Sequence, residues 1–184
     1  NQYVLFYNAF RGDLPERVRE LAGLANVSLV QTYWPNKLLN LSLFLFRRPR
    51  LDLLLKTEAF FLPNWNFTAF SQKACVFLTI HDLAFEIFPD FFSWYRRFWH
   101  FLVNPRLLIK RADYLLPVSQ VSARDLEVLY RVPRVKIKLL QPGLAEDFFE
   151  SMAENSRTQR PIKEDYFLVL ATLEPRKNME SVIQ

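Results

Sequence analysis

One short apolar run constrains the fold of this chain most. Residues 76–80 read Val-Phe-Leu-Thr-Ile, and the polar pair His81 and Asp82 follows directly. A continuous run of this length predicts a strand buried on both faces, as in a parallel sheet. Ligands of open parallel sheets bind beyond the carboxyl ends of the strands, so His81 and Asp82 are candidate site residues. The alternative is that His81 is a loop histidine and that Asp82 caps the next turn.

The rest of the chain alternates short apolar segments with segments of helical period. Further strands are predicted at residues 3–7, 27–32, 59–62, 114–118, 135–139 and 166–171. Helices are predicted at residues 15–25, 38–46, 49–56, 90–104 and 123–130, and from residue 179 onward, and residues 106–111 complete the crossover to the next strand. Ser122 is the expected cap of the helix at 123–130. Strands that alternate with helices predict an α/β fold with a mainly parallel sheet.

The helix at residues 90–104 is amphipathic and allows two interpretations. One face carries Phe91, Tyr95, Phe98 and Leu102, widened by Trp94, Trp99 and Phe101. The opposite face carries Ser93, Arg96, Arg97 and His100. The wide apolar arc favours a core helix with a narrow polar face. The alternative is a helix that rests on an anionic membrane.

Composition narrows the classes of function. The 184 residues are 51% hydrophobic and 23% charged, which is typical of a globular chain with a sizeable core. The net charge of +5 suits phosphate-bearing ligands, an anionic membrane or nucleic acid without choosing among them. We expect no nucleic-acid partner, because no recognition motif accompanies the charge. The single cysteine, Cys75, excludes a disulfide framework and a cysteine-based metal site, and we expect it to be a buried thiol.

Four motifs occur in order along the chain. They are Thr-Ile-His-Asp-Leu at 79–83, Pro-Val-Ser at 117–119 followed by Ser122 and Asp-Leu at 125–126, Lys-Ile at 136–137 leading to Pro-Gly-Leu at 142–144, and Leu-Glu-Pro-Arg-Lys-Asn at 173–178. Together they resemble glycosyltransferase family 4, retaining enzymes of the GT-B fold, and in particular its mannosyltransferase-like members. The resemblance runs from about residue 50 to the end of the chain.

The resemblance implies two Rossmann-like domains that face each other across a cleft. Residues 1–141 would form the acceptor-side domain without its first strand and glycine-rich loop. Residues 142–184 would form the linker and the start of a nucleotide-sugar-binding domain, so the second domain would be incomplete. The polar stretch at 146–165 fits such a linker, and only 3 glycines occur in the chain. On this expectation the chain is a fragment that would not transfer sugar by itself.

The resemblance also implies roles at the end of the central strand. His81 would contact the donor sugar or position the acceptor hydroxyl, and Asp82 would orient the loop or bind a sugar hydroxyl. These two are the expected catalytic residues. Asn64 and Ser119, each at the end of a neighbouring predicted strand, are the expected acceptor-side residues. Phe61 departs from the family pattern, which often has a histidine near this point.

A second set of residues is implied to bind the donor. Lys177 would hold the diphosphate just before a helix amino terminus, where N–H groups and positive potential favour an anion. Arg176, Asn178 and Gly143 complete the expected donor-binding set. Thr172 stands where many family members carry an arginine, which Arg176 would replace. The alternative for Arg176 and Lys177 is a solvated pair of charges.

The function that the resemblance implies is transfer of a hexosyl group, such as mannose, from a nucleotide-diphosphate sugar to a glycan or glycolipid. No metal and no further cofactor are expected, because no Asp-x-Asp cluster occurs. The expected location is the cytoplasm, with peripheral contact at the inner face of the membrane. The alternative function is a non-catalytic acceptor-domain module that binds a glycan or an anionic membrane.

Overall fold

The fold contains two parallel sheets flanked by helices. The computed structural model describes residues 1–143, 166–172, 174 and 177–183. Strands β1 (Tyr3–Asn8) and β2 (Val27–Thr32) pair in parallel. Strands β3 (Ala59–Leu62), β4 (Cys75–Ile80) and β5 (Tyr114–Pro117) form a second parallel sheet in the order β3-β4-β5. The predicted α/β class with parallel pairing is confirmed.

Helices connect the strands at nearly the predicted positions. They are α1 (Glu16–Ala22), α2 (Asn36–Leu45), α3 (Leu51–Leu55), α4 (Ala84–Ile87), α5 (Trp94–Val103), α6 (Pro105–Arg111), α7 (Gln120–Tyr130) and α8 (Glu180–Ile183). Short 3₁₀ turns occupy Pro89–Phe91 and Arg134–Lys136.

The central strand β4 lies in the core. Leu78 and Ile80 are fully buried, and Thr79 between them is also buried, so both faces of the strand are covered. Ile109 of α6 and Leu126 of α7 belong to the same buried cluster. The apolar run therefore forms the doubly buried strand that the sequence predicts. Cys75 at its start is free and only half-buried, which corrects the expectation of a buried thiol.

The β1–β2 pair is packed less tightly than the second sheet. No residue of β1, β2 or α1 is fully buried. The two sheets share no strand pairing among the described residues. The expectation of one mainly parallel sheet is therefore corrected to two, because apolar patterns predict strands without specifying their neighbours.

Two predicted strands are wrong. Residues 135–139 instead form the end of the 3₁₀ turn and one isolated bridge between Leu115 and Ile137. Residues 166–171 are not paired as a strand, and their side chains are exposed, with Phe167 at 99% and Leu170 at 95%. Apolar composition favours an extended chain, but a strand also needs a neighbour to accept its backbone hydrogen bonds.

The start of α7 differs from the prediction by three residues. Ser119, not Ser122, is the amino-terminal cap, and its Oγ accepts a hydrogen bond from the backbone N–H of Ser122 at 3.1 Å. Serine is a favoured cap residue at either position. Ser119 takes this role because the helix begins at Gln120 and already includes Ser122.

The orientation of α5 overturns the preferred interpretation of that helix. Trp94, Phe98 and Phe101 are 78%, 52% and 77% exposed, whereas Val103 is buried. The helix packs through Trp99 and its neighbours. The rings of Trp99 and Phe67 meet edge to face, with their centroids 6.4 Å apart. Apolar residues lie on both sides of this helix, so its period alone did not specify which side is buried.

Candidate functional site

The carboxyl ends of three strands meet at one edge of the second sheet. Leu62 pairs with Leu78, and Ile80 pairs with Pro117, so β3, β4 and β5 run in the same direction in close register. The loops after these strands carry the predicted site residues. They are Asn64 after β3, His81 and Asp82 after β4, and Ser119 after β5. Parallel pairing therefore brings four of the predicted residues to one edge.

His81 is held by the loop after β3. Its Nε2 donates a hydrogen bond to the carbonyl oxygen of Pro63 at 2.9 Å. A carbonyl oxygen only accepts, so Nε2 carries the proton of the neutral ring. Nδ1 is then the ring atom that remains available as an acceptor. The side chain is exposed, so a ligand can reach it.

Ser122 holds the backbone of the same loop. Its Oγ donates to the carbonyl oxygen of His81 at 3.2 Å, although Ser122 is itself buried. The hydroxyl of Ser119 in turn donates to Ser122 Oγ at 3.1 Å. Ser119 is therefore a helix cap whose hydroxyl already has protein partners. Ser122 is therefore a positioning residue, a role that its predicted place as a helix cap did not indicate.

Asp82 and Asn64 each make a local hydrogen bond. Asp82 Oδ1 accepts from the backbone N–H of Ala84 at 3.0 Å, which caps the turn at α4 as the alternative interpretation stated. Asn64 Oδ1 accepts from the backbone N–H of Trp65 at 2.7 Å. Since each contact uses one side-chain oxygen, the second carboxylate oxygen of Asp82 remains available for a ligand hydroxyl.

His100 lies beside this edge and was missed as a site neighbour. Its ring stacks on Phe85, with centroids 4.1 Å apart and planes 7° apart. Burial lowers the pKa of His100, and the nearby negative charges of Asp82 and Glu86 oppose that shift without cancelling it. Its Nδ1 is buried and has no hydrogen-bond partner in the part of the chain that the structure describes. The sequence pattern assigned His100 to a solvated face, so it offered no signal for this position.

Glu86 connects α4 to helices α6 and α7. One carboxylate oxygen accepts from the Tyr130 hydroxyl at 2.8 Å, and the other lies 3.4 Å from an Arg106 guanidinium nitrogen. Burial and the Glu86 carboxylate both raise the pKa of Tyr130, so the phenol stays protonated. These contacts fix α4, and with it the loop of Asp82, against α6 and α7.

Three of the predicted donor-binding residues, at positions 176–178, lie near the end of the chain, and Gly143 precedes them. Lys177 is exposed, and its backbone N–H donates to the carbonyl oxygen of Glu174 at 2.9 Å. Asn178 has a φ of +47° and accepts a hydrogen bond from Ser181 Oγ at 3.0 Å. A Cβ on Gly143 would meet no atom within 4 Å. Arg176 lies outside the described residues.

Within the described residues, an ion pair connects this end segment to a helix beside the site. A carboxylate oxygen of Glu174 lies 3.8 Å from a guanidinium nitrogen of Arg96 on α5. Across the described ranges, no hydrogen bond or ion pair joins Lys177, Asn178 or Gly143 to His81. The predicted acceptor-side and catalytic residues are thus brought together, while the donor-binding residues lie apart from them in the contacts of this structure.

The chain is similar to a known mannosyltransferase. The chain is 27% identical over 107 residues to the O-antigen chain mannosyltransferase RfbU of Salmonella typhimurium (strain LT2). The match covers 58% of this chain and 27% of that protein, so the chain spans about a quarter of its relative's length. No family model matches the chain. The comparison therefore shows that the chain is distantly similar to a glycosyltransferase.

A metal-ligand cluster and a membrane-spanning helix were both sought in the described part of the chain. No group of three or more His, Cys, Asp or Glu side chains within them is placed to hold a metal ion. No helix among them is long and apolar enough to cross a membrane. The expectation that the protein needs no metal stays a prediction.

Proposed function

We propose that this chain is the acceptor-side part of a retaining glycosyltransferase of family 4, with the beginning of its donor-binding part. The observation that carries the proposal is the edge where Asn64, His81, Asp82 and Ser119 follow three parallel strands. The distant similarity to a mannosyltransferase supports the same activity. A hexosyl group, such as mannose, would pass from a nucleotide-diphosphate sugar to a glycan or glycolipid.

His81 is the proposed contact to the reacting sugars. In the transfer, the bond between the anomeric carbon and the diphosphate oxygen breaks, and a bond to the acceptor hydroxyl oxygen forms on the same face. The proton of that hydroxyl passes to the departing diphosphate oxygen. Because the Pro63 carbonyl holds Nε2, Nδ1 is the atom that accepts a hydrogen bond from a sugar hydroxyl. The Ser122 hydroxyl fixes the loop, and Asp82 offers its second oxygen to another hydroxyl. Preorganised contacts of this kind favour the transition state.

Lys177 is the proposed partner of the leaving diphosphate. Negative charge grows on the diphosphate as the bond breaks, and a fixed cation stabilises it. The exposed Lys177 ammonium supplies this charge, and Arg176, Asn178 and Gly143 would complete the contact. The diphosphate needs no metal in this arrangement, because protein cations replace it.

A thermal-shift titration with GDP, UDP and their sugar conjugates tests the proposal on the protein at its natural length. We expect one nucleotide series to raise the melting temperature by roughly 5 °C at saturating concentrations. Lys177→Ala should abolish the shift, whereas Lys73→Ala, an exposed lysine before β4, should keep it. His81→Ala should keep nucleotide binding and reduce transfer at least about 100-fold.

The opposite result would favour the alternative function. If no sugar nucleotide shifts the melting temperature of the natural-length protein, the transferase proposal is wrong. The non-catalytic binding module then becomes the better interpretation, and glycans become the ligands to test.

A further inference from the structure

A groove lies between α4, α5 and the start of α6, and is named here the α4–α5 groove. Its volume is about 490 Å³. Sites that hold small molecules usually have roughly 300–1,000 Å³, so the groove is large enough for a ligand. Its aromatic and polar lining includes Phe85, Glu86, Arg97, His100, Phe101 and Arg106.

The α4–α5 groove adjoins the edge that carries the candidate site. Helix α4 begins two residues after Asp82, and its residues Phe85 and Glu86 line the groove. His100 of α5 also lines the groove, and it is close enough to Asp82 for the carboxylate charge to act on the pKa of the imidazole. A ligand bound at Asp82 can therefore extend into the groove.

The charges of the groove are largely balanced. A guanidinium nitrogen of Arg106 lies 3.4 Å from a carboxylate oxygen of Glu86, and one of Arg97 lies 3.7 Å from Asp90. Burial lowers the pKa of His100, so its ring is neutral at pH 7. Because each guanidinium already faces a carboxylate, the groove complements an uncharged ligand better than an anion.

The pair of Arg106 and Glu86 offers hydrogen-bond donors and acceptors side by side. Their side chains are 75% and 27% exposed, so a ligand can reach both. A sugar hydroxyl donates one hydrogen bond and accepts others, so a single hydroxyl can contact the guanidinium and the carboxylate together. Nδ1 of His100 is buried, which leaves Nε2 as the ring nitrogen that a ligand can contact.

Phe101 supplies an apolar surface beside these polar groups. It lines the groove and is 77% exposed, whereas the ring of Phe85 is covered on one face by His100. A hexose ring has a face of C–H groups, which packs on an aromatic ring because both surfaces are apolar. An exposed aromatic ring next to paired polar groups is therefore a lining that suits a sugar.

We propose that the α4–α5 groove is a subsite for the acceptor glycan. It would hold an uncharged sugar unit that lies behind the sugar with the reacting hydroxyl. This unit stacks on Phe101 and directs its hydroxyls to Glu86 and Arg106. The subsite selects acceptors by length, so an oligosaccharide binds better than a single sugar. The inference rests on the proposed function, which places the reacting end of the acceptor at His81 and Asp82.

Glycan titrations followed by ligand-observed NMR test the subsite on the protein at its natural length, without any nucleotide. The probes are methyl glycosides of mannose, glucose and galactose, the di- and trisaccharides of each, and a matching series that contains glucuronic acid. In at least one uncharged series, we expect the trisaccharide to bind at least about tenfold more tightly than the monosaccharide, because only the longer glycan reaches Phe101.

Substitutions on α5 assign this gain to the groove. Phe101→Ala should reduce the affinity for the trisaccharide to that for the monosaccharide, whereas Phe101→Tyr keeps the ring and should keep most of the gain. Phe98→Ala is the matched control, since Phe98 is a 52% exposed phenylalanine of the same helix that does not line the groove. The melting temperature shows that each variant is folded.

Two results would overturn the subsite. One is that no uncharged trisaccharide binds better than its monosaccharide, or that only the glucuronic acid series gains with length. The other is that Phe101→Ala keeps the whole gain. The titration contains no nucleotide, so its outcome is separate from the nucleotide-induced thermal shift. A normal thermal shift without length dependence overturns the subsite alone, whereas a missing thermal shift overturns the transferase.

Discussion

His100 connects the packing of α5 to the candidate site. Its ring is stacked on Phe85 and edge-on to Trp99, with the Trp99 centroid 5.0 Å away. Burial holds its pKa below the ordinary value, although Asp82 and Glu86 act in the opposite direction. The imidazole is therefore neutral in the folded protein under conditions where an exposed histidine begins to take up a proton.

This shift predicts a loss of stability in mild acid. Below the ordinary pKa of about 6.5, the unfolded chain binds a proton at His100 that the folded chain binds less readily. The free energy of unfolding is therefore highest above that pH and falls as the pH is lowered toward 5. His100→Phe keeps an aromatic ring against Phe85 and should show a smaller fall between pH 7 and pH 5.

Urea unfolding at a series of pH values measures the effect. Tyr95→Phe, on the exposed side of the same helix, is the control and should keep the original pH dependence. An unchanged pH dependence in His100→Phe would show that other groups cause the loss.

Asp52 connects the short helix α3 to the loop before β4 through a buried hydrogen bond. The residue is buried, and its Oδ1 accepts from the backbone N–H of Ser71 at 2.8 Å. Burial acts to raise the pKa of Asp52, but hydrogen bonds from Ser71 and from the first turn of α3 outweigh it, and the pKa is lowered. The ionised carboxylate is thus the stabilising form, and this stability is lost as the pH falls below the ordinary aspartate range.

We expect Asp52→Ala to lower the free energy of unfolding by about 1–3 kcal/mol, because it leaves buried N–H groups without an acceptor. Urea unfolding at pH 7 measures the change. Asp90→Ala is the matched control, since Asp90 is 93% exposed and its ion pair with Arg97 is a surface contact. Equal stability of the two variants would contradict the role assigned to Asp52.

Arg111 and Asp113 make similar contacts at this same end of β4, which is opposite the end that carries His81. The Arg111 guanidinium donates to the carbonyl oxygens of Ser71 and Ala74, each at 2.7 Å. Asp113 Oδ2 accepts from the backbone N–H of Val76 at 2.8 Å. These contacts join α6 to the start of β4, so the strand that carries His81 is fixed at both ends.

The two sheets differ in how well they are covered. The β3–β4–β5 sheet contains fully buried residues such as Leu78 and Leu115, whereas β1 and β2 contain none. Regions with few buried apolar contacts open more readily. We therefore expect backbone amides of β1 and β2 to exchange with deuterium faster than those of β4.

Hydrogen exchange followed by mass spectrometry checks this expectation in a single sample. Peptides from β4 serve as the internal control for those from β1 and β2. Equal protection of the two sheets would show that β1 and β2 are stabilised by contacts that the described residues do not include.

Much of the local structure follows from the sequence alone. Strand β4 and the polar pair after it can be predicted because a short continuous apolar run suits a parallel strand that is buried on both faces. Polar residues directly after such a run mark the point where the chain leaves the core. The strands at 27–32 and 59–62 agree with β2 and β3, and the ends of most helices lie within a few residues of the prediction. The gathering of Asn64, His81, Asp82 and Ser119 follows from parallel pairing, which the alternation of strands and helices already indicates.

The remaining features depend on contacts between segments distant in sequence. Three features depend on which neighbouring segment pairs or packs with a given element. They are the division into two sheets, the unpaired residues 166–171 and the exposed side of α5. The hydrogen bonds from Ser122 to His81 and from His81 to Pro63 span 41 and 18 residues. Local patterns determine which side chains suit a strand, a cap or an apolar face. Only tertiary packing decides which face is buried and which groups meet, because burial and hydrogen bonding depend on neighbours that periodicity does not encode.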